Sequence, residues 1–170
     1  MRSELFKEIR DLLNSKVPEL KWIDMDWGQL DLPDQSYPLL FDCALIGFPD
    51  IDWKTGSRKL QDGDVQILVK IGVDVFNDTY VAGNISAPDV QYALSKMQLV
   101  DRIFAVLQGF EGTFFNKLDR IKSSEDKRQD GLKVFQELYM TRMRDTSAIK
   151  LVTPVQANLK TTGTFVQSID

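Results

Sequence analysis

The chain has no histidine and a single cysteine, Cys43. Without histidine there can be no Ser-His-Asp or Cys-His nucleophilic site and no metal site that needs imidazole. One cysteine excludes an internal disulfide and fits a reducing compartment such as a cytosol. No apolar run is long enough to span a bilayer, and none follows Met1-Arg2, so neither a membrane segment nor a secretory signal is expected. Excess positive charge is also missing. The 21 Lys and Arg stand against 25 Asp and Glu, giving a net charge of -4 and a pI near 4.9. That balance argues against gripping nucleic acid by general electrostatics, although it allows nucleic acid to slide past. The glycines (Gly63, Gly72, Gly83, Gly109, Gly112) match no phosphate-loop spacing. Any enzyme here would have to work with carboxylates, Lys, Tyr, Ser, Thr or Cys43. We expect no enzyme, no cofactor and no metal.

What is present is ordinary for a soluble globular chain of 170 residues: 43% hydrophobic and 27% charged. That length predicts one domain with enough chain to bury a core. The centre of the pattern is 65–76. Every odd position from Val65 to Val75 is Val or Ile, while Gln66, Lys70, Gly72 and Asp74 occupy even positions. Alternate side chains of a strand point to opposite faces, so this is a long strand with one dry face. The odd face should pack on helices. The even face, with Gln66, Lys70 and Asp74, should look toward a neighbour or a lumen.

Taken in order, 3–17 reads as a helix with a stripe of Leu5, Phe6, Ile9, Leu12 and Leu13, Ser3 as N-cap and Pro18 as stop. A strand is expected within 20–32 and a loop over 33–37. Positions 38–48 are apolar on both faces, which suits a central strand or one at an interface. A turn-rich link over 49–56 would join it to the long strand as an antiparallel hairpin. A polar connection over 77–87 leads to a second helix over 88–108, with Ser86, Pro88 and Asp89 at its start. Its expected buried face is Ala93, Met97, Val100, Phe104 and Leu107, widened by Leu94 and Ile103, and Gly109 and Gly112 end it. A short strand over 117–122, a charged turn over 123–131 and a strand over 132–144 follow. The even residues of that last strand (Val134, Leu138, Met140) can close the core, which would leave Phe135 and Tyr139 to meet a neighbour. The fold class is α+β: a largely antiparallel sheet of four to five strands with two helices on one face. Residues 1–144 form the domain, and 145–170 read as a C-terminal arm or tail.

Paired carboxylates occur at Asp24/Asp26, Asp50/Asp52 and Asp62/Asp64. Such pairs can hold Mg²⁺ or Ca²⁺, but none belongs to a full calcium loop, and turn or cap roles are the simpler reading. Pro33-Asp34 followed by Asp52-Trp53-Lys54 mimics the Pro-Asp … Asp-x-Lys layout of a nuclease superfamily, in which carboxylates hold a metal and Lys orients water. Here the triplet falls in the expected loop. Cys43, in an apolar strand, reads as a structural thiol. Lys127-Arg128 is flanked by acids and reads as a solvated turn. Trp22, Trp27 and Trp53 read as core and loop anchors or as interface aromatics.

The element order is helix, strand, long β-hairpin, helix, strand pair. It resembles that of the tail-terminator (tail-completion) proteins of long-tailed bacteriophages and related contractile injection systems. The resemblance is carried by the opening helix, Tyr37-Pro38-Leu39-Leu40-Phe41, the strand 65–76, the helix through 97–107 and the strand 132–139. It covers 3 to about 144 and is one of layout and length. It implies a structural virion protein, assembled in the host cytoplasm, that forms a ring, typically a hexamer. Such a ring ends growth of the tail tube and joins the tail to the head connector. The partners implied are copies of itself, the tail tube protein, the head connector or neck protein, and genomic DNA passing through the lumen without specific binding. No membrane is implied. The interface candidates are Trp53, Lys54 and Arg58 in the 48–60 loop, and Phe135 and Tyr139. Alternatives are a head–tail connector or neck subunit, a metal-dependent nuclease, and a small-ligand-binding module.

Overall fold

A computed structural model describes residues 1–31, 39–56, 60–74, 81–82, 85–86, 90–126 and 132–148. The chain runs α1 (Arg2–Lys16), β1 (Trp22–Met25), β2 (Cys43–Gly47), β3 (Ile51–Thr55), β4 (Gln61–Val73), β5 (Val81–Ala82), β6 (Ile85–Ser86), α2 (Val90–Leu107), β7 (Asp119–Asp126) and β8 (Lys133–Asp145). It is an α+β fold. Six strands form one mixed sheet in the order β1-β2-β4-β8-β7, with β3 also on β4, one strand more than expected. β5 and β6 pair separately, inside what the sequence suggested was a plain connection.

β4 is the axis of the sheet. It pairs with β8 along all 13 of its residues. Val65, Ile67, Val69, Ile71 and Val73 are fully buried against both helices, as the period-2 pattern predicts. Each such side chain contributes about 1.5–3 kcal/mol of burial. α1 supplies Leu5, Ile9 and Leu13 to the same core, with Phe6 and Leu12 half-buried beside them. The first helix begins one residue early, with Met1 at the N-cap position, so Ser3 lies inside the helix and not at its cap. Gly109, at φ 77°, follows α2 in the left-handed conformation that glycine adopts without strain.

Four expectations are corrected. The 49–56 link is a strand: β3 pairs with 61–65 because β4 runs on past the end of β2 and offers it a free edge. Pairing along that edge slips by one residue across 48–50, where Asp50 O accepts from Gln66 N–H at 2.9 Å. The supposed turn residues 123–126 continue β7, because β8 is long enough to pair with them. α2 is rotated, with Ala93, Lys96, Leu99, Val100, Ile103 and Leu107 buried and Leu94 and Met97 exposed. The faces of β8 are reversed as well. Val65 lies opposite Thr141 and Ile67 opposite Tyr139, so the odd residues of β8 share the dry face of β4. Tyr139 is fully buried, so it does not stand on the chain's free surface, and Phe135 packs half-buried on the core. The loop at 33–37, the helix start at 87–89, Val75 and the tail from 149 lie outside the described residues, as do Lys127 and Arg128.

Candidate functional site

The face of the sheet turned away from the helices divides into two halves. Over β1, β2 and the C-terminal half of β4, the crossing segments 26–31 and 39–42 cover it. Leu30, Cys43, Leu45 and Val134 form a second small core there, flanked by Trp22, Leu39 and Phe41. Lys70 lies under this cover, 8% exposed, with Nζ 3.0 Å from Asp26 Oδ2 and 2.7 Å from Asp31 Oδ2. Burial pulls the Lys70 pKa down, but hydrogen bonds to the two carboxylates and their charge more than offset it and raise the pKa above the ordinary lysine value. Lys70 is thus a tie between loop and sheet. It does not look toward a neighbour, which corrects that expectation for this part of the even face.

The other half is open and carries a charge ladder. Asp52 on β3 lies opposite Asp64 on β4, and Asp64 lies opposite Arg142 on β8. In the next row Lys54, Asp62 and Arg144 align in the same way. Lys54 Nζ is 3.1 Å from Asp64 Oδ2, Arg142 Nε is 3.0 Å from Asp64 Oδ1, and Arg144 Nε is 2.7 Å from Asp62 Oδ1. The Arg144 hydrogen bond and charge hold the Asp62 carboxyl below its usual range. Arg142 and then Lys54 do the same for Asp64. The pairing follows from parity, because even residues on all three strands share this face. These carboxylates are already engaged by cations, so a metal would have to displace guanidinium groups. Among the described residues no group of three or more acidic or Cys side chains is placed to hold a metal ion.

Beside the ladder the segment 111–117 turns back along β8. Asn116 N–H donates to Arg142 O at 2.8 Å, and Thr141 Oγ1 donates to Asn116 O at 2.7 Å. Between this segment, β7 and β8 lies an open groove of about 690 Å³ lined by Asp64, Lys117, Asp119, Ile121, Met140 and Arg142. A second hollow of about 490 Å³ continues past Phe114, Arg144 and Thr146. Phe114, Ile121 and Met140 are exposed apolar side chains in these walls. β7 bounds the groove. Seven of its eight residues are exposed, and among the described residues it pairs only with β8. Arrangements of this kind, apolar side chains set among paired charges, suit contact with protein surfaces.

The structure brings Trp53 and Lys54 to this end of the molecule on β3, while Arg58 lies outside the described residues. The Trp53 ring covers Gly63, where any Cβ would come within 2.8 Å of Cε3. The other tryptophans have different roles: Trp22 packs on the second core and Trp27 stands in solvent. Lys54 points to Asp64 and not into a site with Asp52, and Pro33 and Asp34 lie outside the described residues, so the nuclease-like layout is not assembled by what is seen. The Cys43 thiol is pushed up to about 11, chiefly by burial.

Sequence reasoning missed two further polar centres. Lys96 of α2 is buried against Asp42, with Nζ 2.9 and 2.7 Å from its carboxylate oxygens and 4.6 Å from the centre of the Tyr92 ring. Glu137 of β8 is buried too. It accepts from Arg120 Nη1 at 3.1 Å and from Ser123 Oγ at 2.5 Å, and the Arg120 guanidinium stacks 3.5 Å from the Phe104 ring centre. No local signal marked them, since the expected buried face of α2 omitted Lys96 and the expected core face of the last strand was the even one, which leaves out Glu137.

No family model matches the chain, and no curated protein matches it. Among the solved structures that match is a chain of the virion of a native gene transfer agent particle, similar over 81% of this chain and 84% of that chain. The identity is 8% and the TM-score 0.43, a level of likeness that carries no argument about function.

Proposed function

We propose that this chain is a structural subunit of a phage-like tail, of the tail-terminator kind. Copies form a ring, a hexamer in the typical arrangement, at the head-proximal end of the tail tube, end its growth and meet the head connector. The observation that supports this reading is the lateral surface built by β7, the groove and the charge ladder: an open strand edge beside Phe114, Ile121 and Met140. An open edge offers unsatisfied backbone groups for joining. A ring needs a head-to-tail contact in which this surface meets a different one on the next copy. The element order adds its resemblance to that family. Residues from 149 on continue from the strand end beside the second hollow, and we read them as an arm toward a neighbour. The negative balance of the chain leaves DNA free to pass.

Native mass spectrometry and negative-stain imaging, with and without purified tail tubes, test this. Closed rings, or caps on tube ends, are expected. A chain that never forms a ring and never binds tube ends overturns the reading. Magnesium-dependent DNA cleavage that vanishes on Asp52→Ala would replace it with the nuclease alternative.

A further inference from the structure

β3 has one edge on β4 and one edge that pairs with no described strand. The direction of its backbone groups can be read from its ends. Asp50 O accepts from Gln66 N–H on β4, and Gly56 N–H donates to Leu60 O on the same side at 2.7 Å. In an antiparallel pair, N–H and C=O groups alternate sides residue by residue. Asp52 and Lys54 therefore bond to β4, and Ile51, Trp53 and Thr55 aim their N–H and C=O groups at the open edge. The side chains alternate too. Asp52 and Lys54 lie on the face away from the helices with Asp64 and Asp62, and Trp53 lies on the opposite face over Gly63.

We infer that β3 is a self-complementary edge that pairs with β3 of a second copy, antiparallel, about a two-fold axis at Trp53. In this register Trp53 meets Trp53, and Ile51 meets Thr55 of the second copy. All the outward backbone groups are satisfied, in about six hydrogen bonds. Asp52 falls opposite Lys54 of the second copy, and Lys54 opposite its Asp52. These are non-hydrogen-bonded positions, where facing side chains come closest. The neighbouring symmetric registers are less favourable. A slip one way places Asp52 against Asp52 and, although it brings Lys54 opposite Asp50, sets Thr55 against Pro49, which has no N–H to donate; a slip the other way places Lys54 against Lys54. Charged residues on an edge ordinarily discourage pairing. Here their order permits one pairing and opposes its neighbours, and the two-fold makes every favourable contact occur twice. The indole of Trp53, held over Gly63 and 37% exposed, adds an aromatic pair at the axis.

This inference does not rest on the tail reading, which uses β7, the groove and the ladder face but not the outer backbone edge of β3. Two measurements test it. In the unmodified chain, hydrogen exchange followed from micromolar to sub-millimolar protein should show the amides of Ile51, Trp53 and Thr55 becoming protected as concentration rises, with those of Asp52 and Lys54 unchanged. Exchange at 51, 53 and 55 that does not depend on concentration overturns the proposal. Sedimentation equilibrium at low salt tests the charges. Asp52→Lys and Lys54→Glu should each weaken self-association by at least about tenfold, because two attractions become two repulsions. A one-to-one mixture of these two variants should dimerise about as tightly as the original chain. In the mixed dimer both lysines of the Asp52→Lys chain face the two carboxylates of the Lys54→Glu chain, so two attractions are restored. A dimer indifferent to either substitution, or folded variants that fail to combine, overturns it. A two-fold dimer with no ring would sink the tail reading alone, and rings with unprotected 51, 53 and 55 amides would sink this one alone.

Discussion

Replacing Lys96 by methionine should cost far more than removal of a surface lysine. Lys96 is 8% exposed and Asp42 4%, and their charged groups lie 2.7 Å apart between α2 and the segment that leads into β2. An exposed ion pair contributes about 0–1 kcal/mol. Removing one partner of a buried pair leaves a charge with neither water nor counter-ion and costs about 3–5 kcal/mol. For a chain of this length that corresponds to a fall in Tm of roughly 6–20 °C. Urea denaturation followed by circular dichroism reads it directly, with the slope unchanged and the midpoint lowered. The double variant Lys96→Met/Asp42→Asn removes both charges and should recover much of the loss, so the single effects should not add. The pH dependence has a definite sign. Burial would lower the Lys96 pKa, but the hydrogen bond and charge of Asp42 hold it above the ordinary 10.5. Its contribution is therefore complete below that value and is lost as pH rises through the higher folded-state value. A Lys96→Met variant within 1 kcal/mol of the original, or strict additivity in the double variant, would refute the buried clamp.

Two further outcomes are expected. Arg144→Ala should raise the Asp62 pKa toward 3.8 in a carboxyl NMR titration, since the Arg144 hydrogen bond is the main cause of its depression. Any stability linked to Asp62 is present above 3.8 and fades as pH falls through the lower folded value, so the variant should lose that acid-side dependence. Cys43, with its thiol raised to about 11 and fully buried, should resist alkylation at pH 8 in the folded chain and react once urea unfolds it. Rapid labelling of the native chain would show that 39–42 does not cover it.

Much of the fold could be read from periodicity. The odd face of β4, the α1 stripe and the β2–β4 pairing follow from patterns that local chemistry alone enforces. The failures have a common physical origin. Lys96 shifts the buried stripe of α2 because Asp42, distant in sequence, compensates its charge, and no local pattern reports such a partner. β3 reads as a loop because four of its five residues are exposed, three of them polar, and its strand conformation comes from the edge that β4 offers. The faces of β8 looked ambiguous because both carry apolar residues, and the register with β4 decides between them. The same limit applied at the open surface. Trp53 and Lys54 were legible as candidates, whereas the ladder of Asp62, Asp64, Arg142 and Arg144 required strands far apart in sequence to align.

The one-residue slip at 48–50 has an evolutionary consequence. It inverts parity between two strands that run along one edge of β4. Before it, the even residues Ala44 and Ile46 face the helices; after it, the odd residues Ile51 and Trp53 do. Loss of one codon in this short stretch would remove the slip and leave β3 facing as it does now. A change in length that the slip does not absorb would turn β3 over, withdrawing Ile51 from the core and sending Trp53 to the ladder side and Asp52 and Lys54 to the other. The stretch therefore sets the phase of β3, and a lineage that changed its length could rewrite the contact surface of this edge in one genetic step, at the cost of the Ile51 contact with the core.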